Sequence, residues 1–352
     1  MKYFKILRVP LLMVALTGSA FGLTDRARAR SDRHTKKVPG PVVERVVAAD
    51  PSVSVSVCLV SGDIKVHGWD RNEVRVRSND VEAIEFRRQA GARESEPAKE
   101  ITVLLSDMTP HRFGPCSTDA DIELDVPRGA TVRLQTRDGN IQVVDVSVVT
   151  ASTQSGDLDL ARIRRSVDAA TIGGDISLRD STGPTSLHSV GGSIEARGAG
   201  PAAAGDTFEA ATVGGDITLE KIGSAKVKVK TVGGSLSLSG ALAAGARYEF
   251  KTFSGDISFA MPPDSSFRLD ATLSQGELVT EFPLRMITES KSPPSQSSRR
   301  SGPPAKGDLT IDPDVLIKGS NHGLQHISGV YGTGDALITA SSFSGAINLK
   351  KK

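Results

Sequence analysis

One short phrase returns along this chain and constrains its fold more than any other feature. It reads TRDGNIQV, TQSGDLDL, TIGGDISL, SVGGSIEA, TVGGDITL, TVGGSLSL, TFSGDISF and SFSGAINL in its eight clear copies. The turn glycines of these copies are Gly139, Gly156, Gly174, Gly192, Gly215, Gly234, Gly255 and Gly345. A weaker copy surrounds Gly276, and an isolated early one surrounds Gly62. The first seven are 17 to 23 residues apart. A repeat of this length is one supersecondary unit that cannot bury its apolar face alone, so copies must stack.

Let the turn glycine be position 0. Positions +2 and +4 are apolar, as in Ile176 and Leu178, Ile217 and Leu219, or Ile257 and Phe259, with polar residues between them. The segment before each turn alternates in the same way, as in Val227, Val229 and Thr231 against Lys226, Lys228 and Lys230. A period of two means strands with one buried face. One repeat is therefore strand, glycine turn, strand and a variable connection. The expected fold is all-β, a single-stranded right-handed β-solenoid or rolled stacked sheet built from 17–23-residue Gly-turn repeats. A meander of hairpins is the alternative topology. About ten such rungs at ~4.8 Å would give a segment about 45 Å long.

Aligned copies form columns. Position −3 holds Thr136, Thr153, Thr171, Ser189, Thr212, Thr231, Thr252 and Ser342, hydroxyls suited to a buried ladder. Position 0 requires glycine either for a positive φ or for close backbone approach. Position +1 holds Asn140, Asp157, Asp175, Ser193, Asp216, Ser235 and Asp256, which are expected to bond their own turn backbone. Position −2 holds Ile172, Val190, Val213, Val232, Phe253 and Phe343, apolar where the strand alternation calls for polar. Two readings follow: a bend that tucks these six into a core corner, or an exposed stripe that meets a partner.

Residues 1–22 carry Lys2, Lys5 and Arg8 ahead of an apolar run from Val9 to Leu16, then the small residues Ala20 and Gly22. This is the pattern of a secretory signal peptide, and the run is too short to span a bilayer. Removing it takes the net charge from +2 to −1, with 40 basic against 41 acidic residues. A nucleic-acid partner then has no electrostatic support. Residues 23–40 read as a flexible leader and 41–352 as the repeat domain. Within it, 41–130 supply N-terminal strands, 131–286 the regular repeats, 287–307 a Pro/Ser-rich loop and 308–352 the last rungs. The chain has only two cysteines, Cys58 and Cys116, and export makes them a disulfide candidate.

Candidate chemistry is thin. Gly173–Asp175 and Gly214–Asp216 look superficially like a cyclase signature, but they recur as turns. The acidic column suggests calcium, yet a calcium roll needs a nonapeptide with a second glycine pair. Asp157 with Asp159 or Asp175 offers carboxylates at general acid/base spacing, but no aromatic residue sits near them in sequence to stack a sugar, Trp69 being far away. His322 and His326 are four apart, with Gly323 against a helix, and read as a solvated loop. The expectation is no catalytic residue, no metal and no cofactor.

SGDIKVHGWDRNEVRV at Ser61–Val76, the TVGGDITL rungs and the closing GDALITASSFSGAINL resemble the bacterial adhesin-like family of β-strand repeats, a domain of unknown function. The resemblance covers roughly residues 45–350. It implies an exported, non-catalytic, solenoid-like domain and carries over no binding residue. The chain is thus expected to be an adhesin-like scaffold, periplasmic, cell-surface or extracellular, with an envelope protein or polysaccharide as partner. It is expected to have no membrane span once the signal is cleaved. Two rivals are a carbohydrate-active or carbohydrate-binding β-helix and a self-assembling structural solenoid resembling the bactofilins.

Overall fold

The computed structural model describes residues 41–88, 96–106, 116, 118–287, 315–318 and 324–352. The signal-peptide and leader segments, most of the Pro/Ser-rich segment and His322 lie outside the described residues.

Twenty-seven strands and no helix make up the described residues. First come β1 (Val43–Cys58), β2 (Ile64–Trp69), β3 (Glu73–Ser78), β4 (Ala83–Arg88), β5 (Ala98–Ser106) and β6 (Ile122–Pro127). The regular array follows with β7 (Thr131–Gln135), β8 (Ile141–Val144), β9 (Val148–Ser152), β10 (Leu158–Ala161), β11 (Ser166–Ala170), β12 (Ile176–Arg179), β13 (Thr185–His188) and β14 (Ile194–Arg197). It continues with β15 (Thr207–Ala211), β16 (Ile217–Glu220), β17 (Lys226–Lys230), β18 (Leu236–Ser239), β19 (Arg247–Thr252) and β20 (Ile257–Met261). The chain ends with β21 (Phe267–Leu273), β22 (Glu277–Thr280), β23 (Arg285–Met286), β24 (Val315–Lys318), β25 (Gln325–Tyr331), β26 (Ala336–Ser342) and β27 (Ile347–Lys351).

Each glycine turn passes the chain from one sheet to the other. Along the regular array, odd strands pair in parallel with odd strands, as β11 with β9 and β13, and even with even, as β12 with β10 and β14. Equivalent residues sit side by side, with Ile176 between Leu158 and Ile194. Parallel pairing in this register is a stacked solenoid of two-strand coils and not a hairpin meander. The apolar alternation points inward from both sheets and leaves Ile141, Leu160, Val167, Leu219, Val229 and Phe259 fully buried. Bulk is balanced along the core, where the large Phe250 meets Phe259 edge to face while its column neighbour Ala340 stays small.

The stack departs from chain order at both ends. β1 pairs with β5 and β7, and β2 with β6 and β8, so the coil β1–β2 lies inside the coil β5–β6. Likewise β26 lies between β19 and β21, and β27 between β20 and β22. The last rung in the sequence is therefore second from the end of the stack. Eleven coils result. The outer coils are closed by antiparallel strands, β4 on β5 and β3 on β6 at one end, β25 on β21 and β24 on β22 at the other. An exposed parallel edge would otherwise template a further chain.

Candidate interaction surface

The turns carry the most regular chemistry in the molecule. At position 0 a Cβ would lie only 1.9–2.1 Å from the carbonyl oxygen of the glycine one coil away, from Gly139 through Gly345. Close approach, and not a left-handed backbone, is what excludes every other residue from Gly156 onward, because none of those glycines has a positive φ. The −3 hydroxyls lie buried beneath this contact. Thr153 Oγ1 donates to Gly139 O at 3.0 Å, Thr212 Oγ1 to Gly192 O at 2.8 Å and Thr252 Oγ1 to Gly234 O at 3.1 Å. The same hydroxyl also accepts from its own turn: Gly174 N–H donates to Thr171 Oγ1 at 3.2 Å.

The +1 column corrects the expectation of local turn bonds. The Asn and Asp side chains accept the backbone N–H of the following coil: Asp157 takes Asp175 N–H at 2.8 Å, Asp175 takes Ser193 N–H at 2.7 Å and Asp216 takes Ser235 N–H at 2.7 Å. Asp256 takes the N–H of Ala346, 90 residues on in sequence. Coils stacked at strand spacing aim these N–H groups along the stack, where only the neighbouring side chain can meet them. One oxygen of each carboxylate is committed to this ladder. Asp159 pairs with Arg179 at 2.5 Å, so the three carboxylates weighed for acid/base work all hold structural partners.

The −2 column is exposed. Ile172, Val190, Val213, Val232, Phe253 and Phe343 keep 41–55% of their surface open to solvent. The core-corner reading is corrected: alternation continues through the turn, the −3 hydroxyl is anchored inward, and the next side chain points out. These six occupy six consecutive coils, and because β26–β27 follows β19–β20 in the stack, Phe343 stacks on Phe253 with ring centroids 4.8 Å apart. At the same column position Gln154 precedes the ridge and Ser274 ends it. A contiguous apolar line on an otherwise polar surface marks a contact site more often than chance exposure does.

Cys58 and Cys116 form a disulfide with Cα atoms 4.8 Å apart. His326 sits in β25 and not in a loop, with Nδ1 3.3 Å from Thr272 Oγ1 and Nε2 3.2 Å from Ser328 Oγ. Trp69 stands at the N-terminal end, its ring faced by Arg71 and Arg75 at 5.0 and 4.9 Å. Among the described residues no group of three or more His, Cys, Asp or Glu could hold a metal ion, and no helix is long and apolar enough to cross a membrane.

A feature the turn pattern did not reveal lies on the opposite edge of the coils. Asp145, Arg162, Asp180 and Lys221 stack at one arc position with φ of 51–61°, a conformation non-glycine residues seldom adopt. Arg162 grips Asp145 with two bonds of 3.0 and 2.8 Å. That guanidinium holds the Asp145 carboxyl below its ordinary value, against the opposing effect of burial.

Solved structures with similarity to the chain include a candidate cell adhesion protein from Clostridium sporogenes, 11% identical, TM-score 0.20, covering 89% of this chain and all of that one. Candidate adhesins from Parabacteroides distasonis and Parabacteroides merdae are 10% and 11% identical, with TM-scores of 0.33 and 0.35. Each covers 63% of this chain, against 97% and 90% of its own. No curated protein matches. The profile of one family spans residues 47–306, and on that match the chain belongs to the Toastrack DUF4097 family.

Proposed function

We propose that the chain is an exported, non-catalytic β-solenoid scaffold that holds an envelope or cell-surface partner on its turn-side apolar ridge. The observation that carries this reading is the line of six half-exposed apolar side chains on six consecutive coils. The basic and apolar pattern of residues 1–22 supports export, and the Cys58–Cys116 bond fits an oxidising compartment. The adhesion descriptions of the solved structures agree with a binding role. The turn carboxylates serve the backbone, which supports a non-enzyme.

The test is retention of the mature chain by an immobilised envelope fraction. Val213→Ser, Val232→Ser and Phe253→Ser combined should reduce retention at least tenfold at an unchanged melting temperature. Full retention by that variant overturns the reading. Release of reducing sugar from envelope polysaccharide, lost on Asp175→Ala, would overturn the non-enzyme part.

A further inference from the structure

Around each turn four positions face outward, fully or in part, in a fixed order. The strand-end position −4 comes first, then the ridge at −2, then position −1, then the +1 ladder. At −1 stand Gly173, Gly191, Gly214 and Gly233, beside the ridge residues Ile172, Val190, Val213 and Val232. These glycines differ from those at position 0. None has a left-handed φ, and an added Cβ would meet its nearest neighbour at 3.5–3.7 Å, ordinary contact distance. Nothing inside the coil asks for glycine there. Four of them in consecutive coils leave a furrow alongside the ridge, one residue wide.

The two flanks carry charges of opposite sign in part of the ridge. On the +1 side lie Asp175, Asp216 and Asp256, each with a single oxygen bound to the backbone. On the −4 side lie the exposed Lys230 and Lys251, beside Val232 and Phe253, with Lys251 also paired to Glu249; Ala170, Ala211 and Ser341 hold this position in three other coils. Ridge, furrow and flanks are thus self-complementary under one operation, a two-fold axis parallel to the stack. It brings the ridge of one copy into the furrow of the other, and the reverse. It also sets Lys251 of each copy against Asp256 of its partner, the one coil of the six where a lysine at −4 and an aspartate at +1 coincide. The other two-fold orientation, with the stacks antiparallel and Phe253 opposite Val190, sets Lys251 against His188 and Asp256 against Ser193 and so loses that pair.

We propose that the ridge is a homodimer interface in which two copies pack side by side, with parallel stacks and matching coils. The proposal rests on the ridge being a contact surface and names its occupant as a second copy of the chain. The ridge runs about 24 Å at ~4.8 Å per coil. With both flanks it covers about 500 Å² per copy, below the ~800 Å² of a standard interface. The dimer therefore exchanges with monomer over an accessible concentration range.

Sedimentation equilibrium of the mature chain from about 1 to 300 μM, which spans weak interface affinities, should show a monomer–dimer equilibrium. Val213→Asp, Gly214→Leu in the furrow, and Lys230→Glu with Lys251→Glu should each weaken it at least tenfold with the melting temperature held. Ile172→Cys at one end of the ridge and Phe253→Cys next to the other should each cross-link to their own counterparts under mild oxidation. Cross-linking of Phe253→Cys only to a Val190→Cys chain would mean antiparallel stacks and overturn the proposal. So would a monomer at every concentration, a dimer indifferent to all three surface changes, or ridge-dependent binding to anionic phospholipid vesicles by a chain that stays monomeric. A monomer whose ridge variants still lose envelope retention overturns the dimer alone. A dimer whose dissociating variants keep full envelope retention overturns the envelope-binding reading alone.

Discussion

At the scale of single residues, two adjacent glycines in one turn do different work. Gly215 lies where its own backbone meets the backbone of Gly192, with a Cβ-to-oxygen distance of 2.1 Å. Neither side is a flexible side chain that could swing away. Gly214, one residue earlier, has 3.7 Å of room. Gly215→Ala is expected to destabilise the fold by about 3 kcal/mol or more, since the backbone of two coils must part. Gly214→Ala should stay within about 1 kcal/mol of the parent. Urea unfolding of the two variants checks this, and equal costs would refute the close-approach account. The contrast shows how far a sequence can be read. Both glycines stand in the same GGD phrase, and the alternation of Val227, Val229 and Thr231 was enough to assign the strand and its inward face. What separates the two glycines is distance to another coil, which no local pattern contains.

At the scale of the coil, the glycine turn and the opposite arc solve the same stacking problem differently. The turn uses glycine and hydroxyl bonds; the arc uses a positive φ, taken by charged residues in four coils and by Gly198 and Gly240 in two, and is held in part by pairing between coils. Asp145 is 15% exposed at its side chain and faces Arg162, Arg164 and, at longer range, Arg128. Because its folded pKa lies below the ordinary 3.8, its contribution is complete above that value and is lost as pH falls through the folded pKa. Asp145→Asn should therefore lower stability at pH 7. The gap between variant and parent should close as the pH drops below about 4. Thermal melts across pH 2–7 test it, and a constant gap would show that the pair's charge contributes nothing. The arc escaped sequence reading because Asp145, Arg162, Asp180 and Lys221 mix acids with bases and sit in connections of variable length.

At the scale of the whole described array, the order of coils matters more than their number. The column pattern made stacking legible from Gly139 to Gly255, where chain order and stack order coincide. Chain order misplaces the final copy, since Gly345 follows a segment rich in proline and serine; the one local hint is the Phe-Ser-Gly that SFSGAINL shares with TFSGDISF around Gly255 and with no other copy. In the structure Gly345 lies between Gly255 and Gly276, each in backbone contact with it. The coil β26–β27 is therefore a keystone: it joins β19–β20 on one side to β21–β22 on the other. Its absence would leave a gap of two strand spacings, about 10 Å, that neither neighbour can bridge without sliding. Truncation after residue 333 removes the fully buried Ile338, Ala340, Ile347 and Leu349 and uncovers Phe250 and Phe259 on the facing coil. The loss should exceed about 5 kcal/mol at ~2 kcal/mol for each large apolar side chain. It should also be local, because a stacked array couples only neighbours. Hydrogen exchange should show β21 to β25 and the β19–β20 edge losing protection while β7 to β14 keep theirs. Uniform loss along the array would mean that the solenoid folds as one cooperative unit. Unchanged protection in β21 would mean that the closing coil is not what holds that end in place.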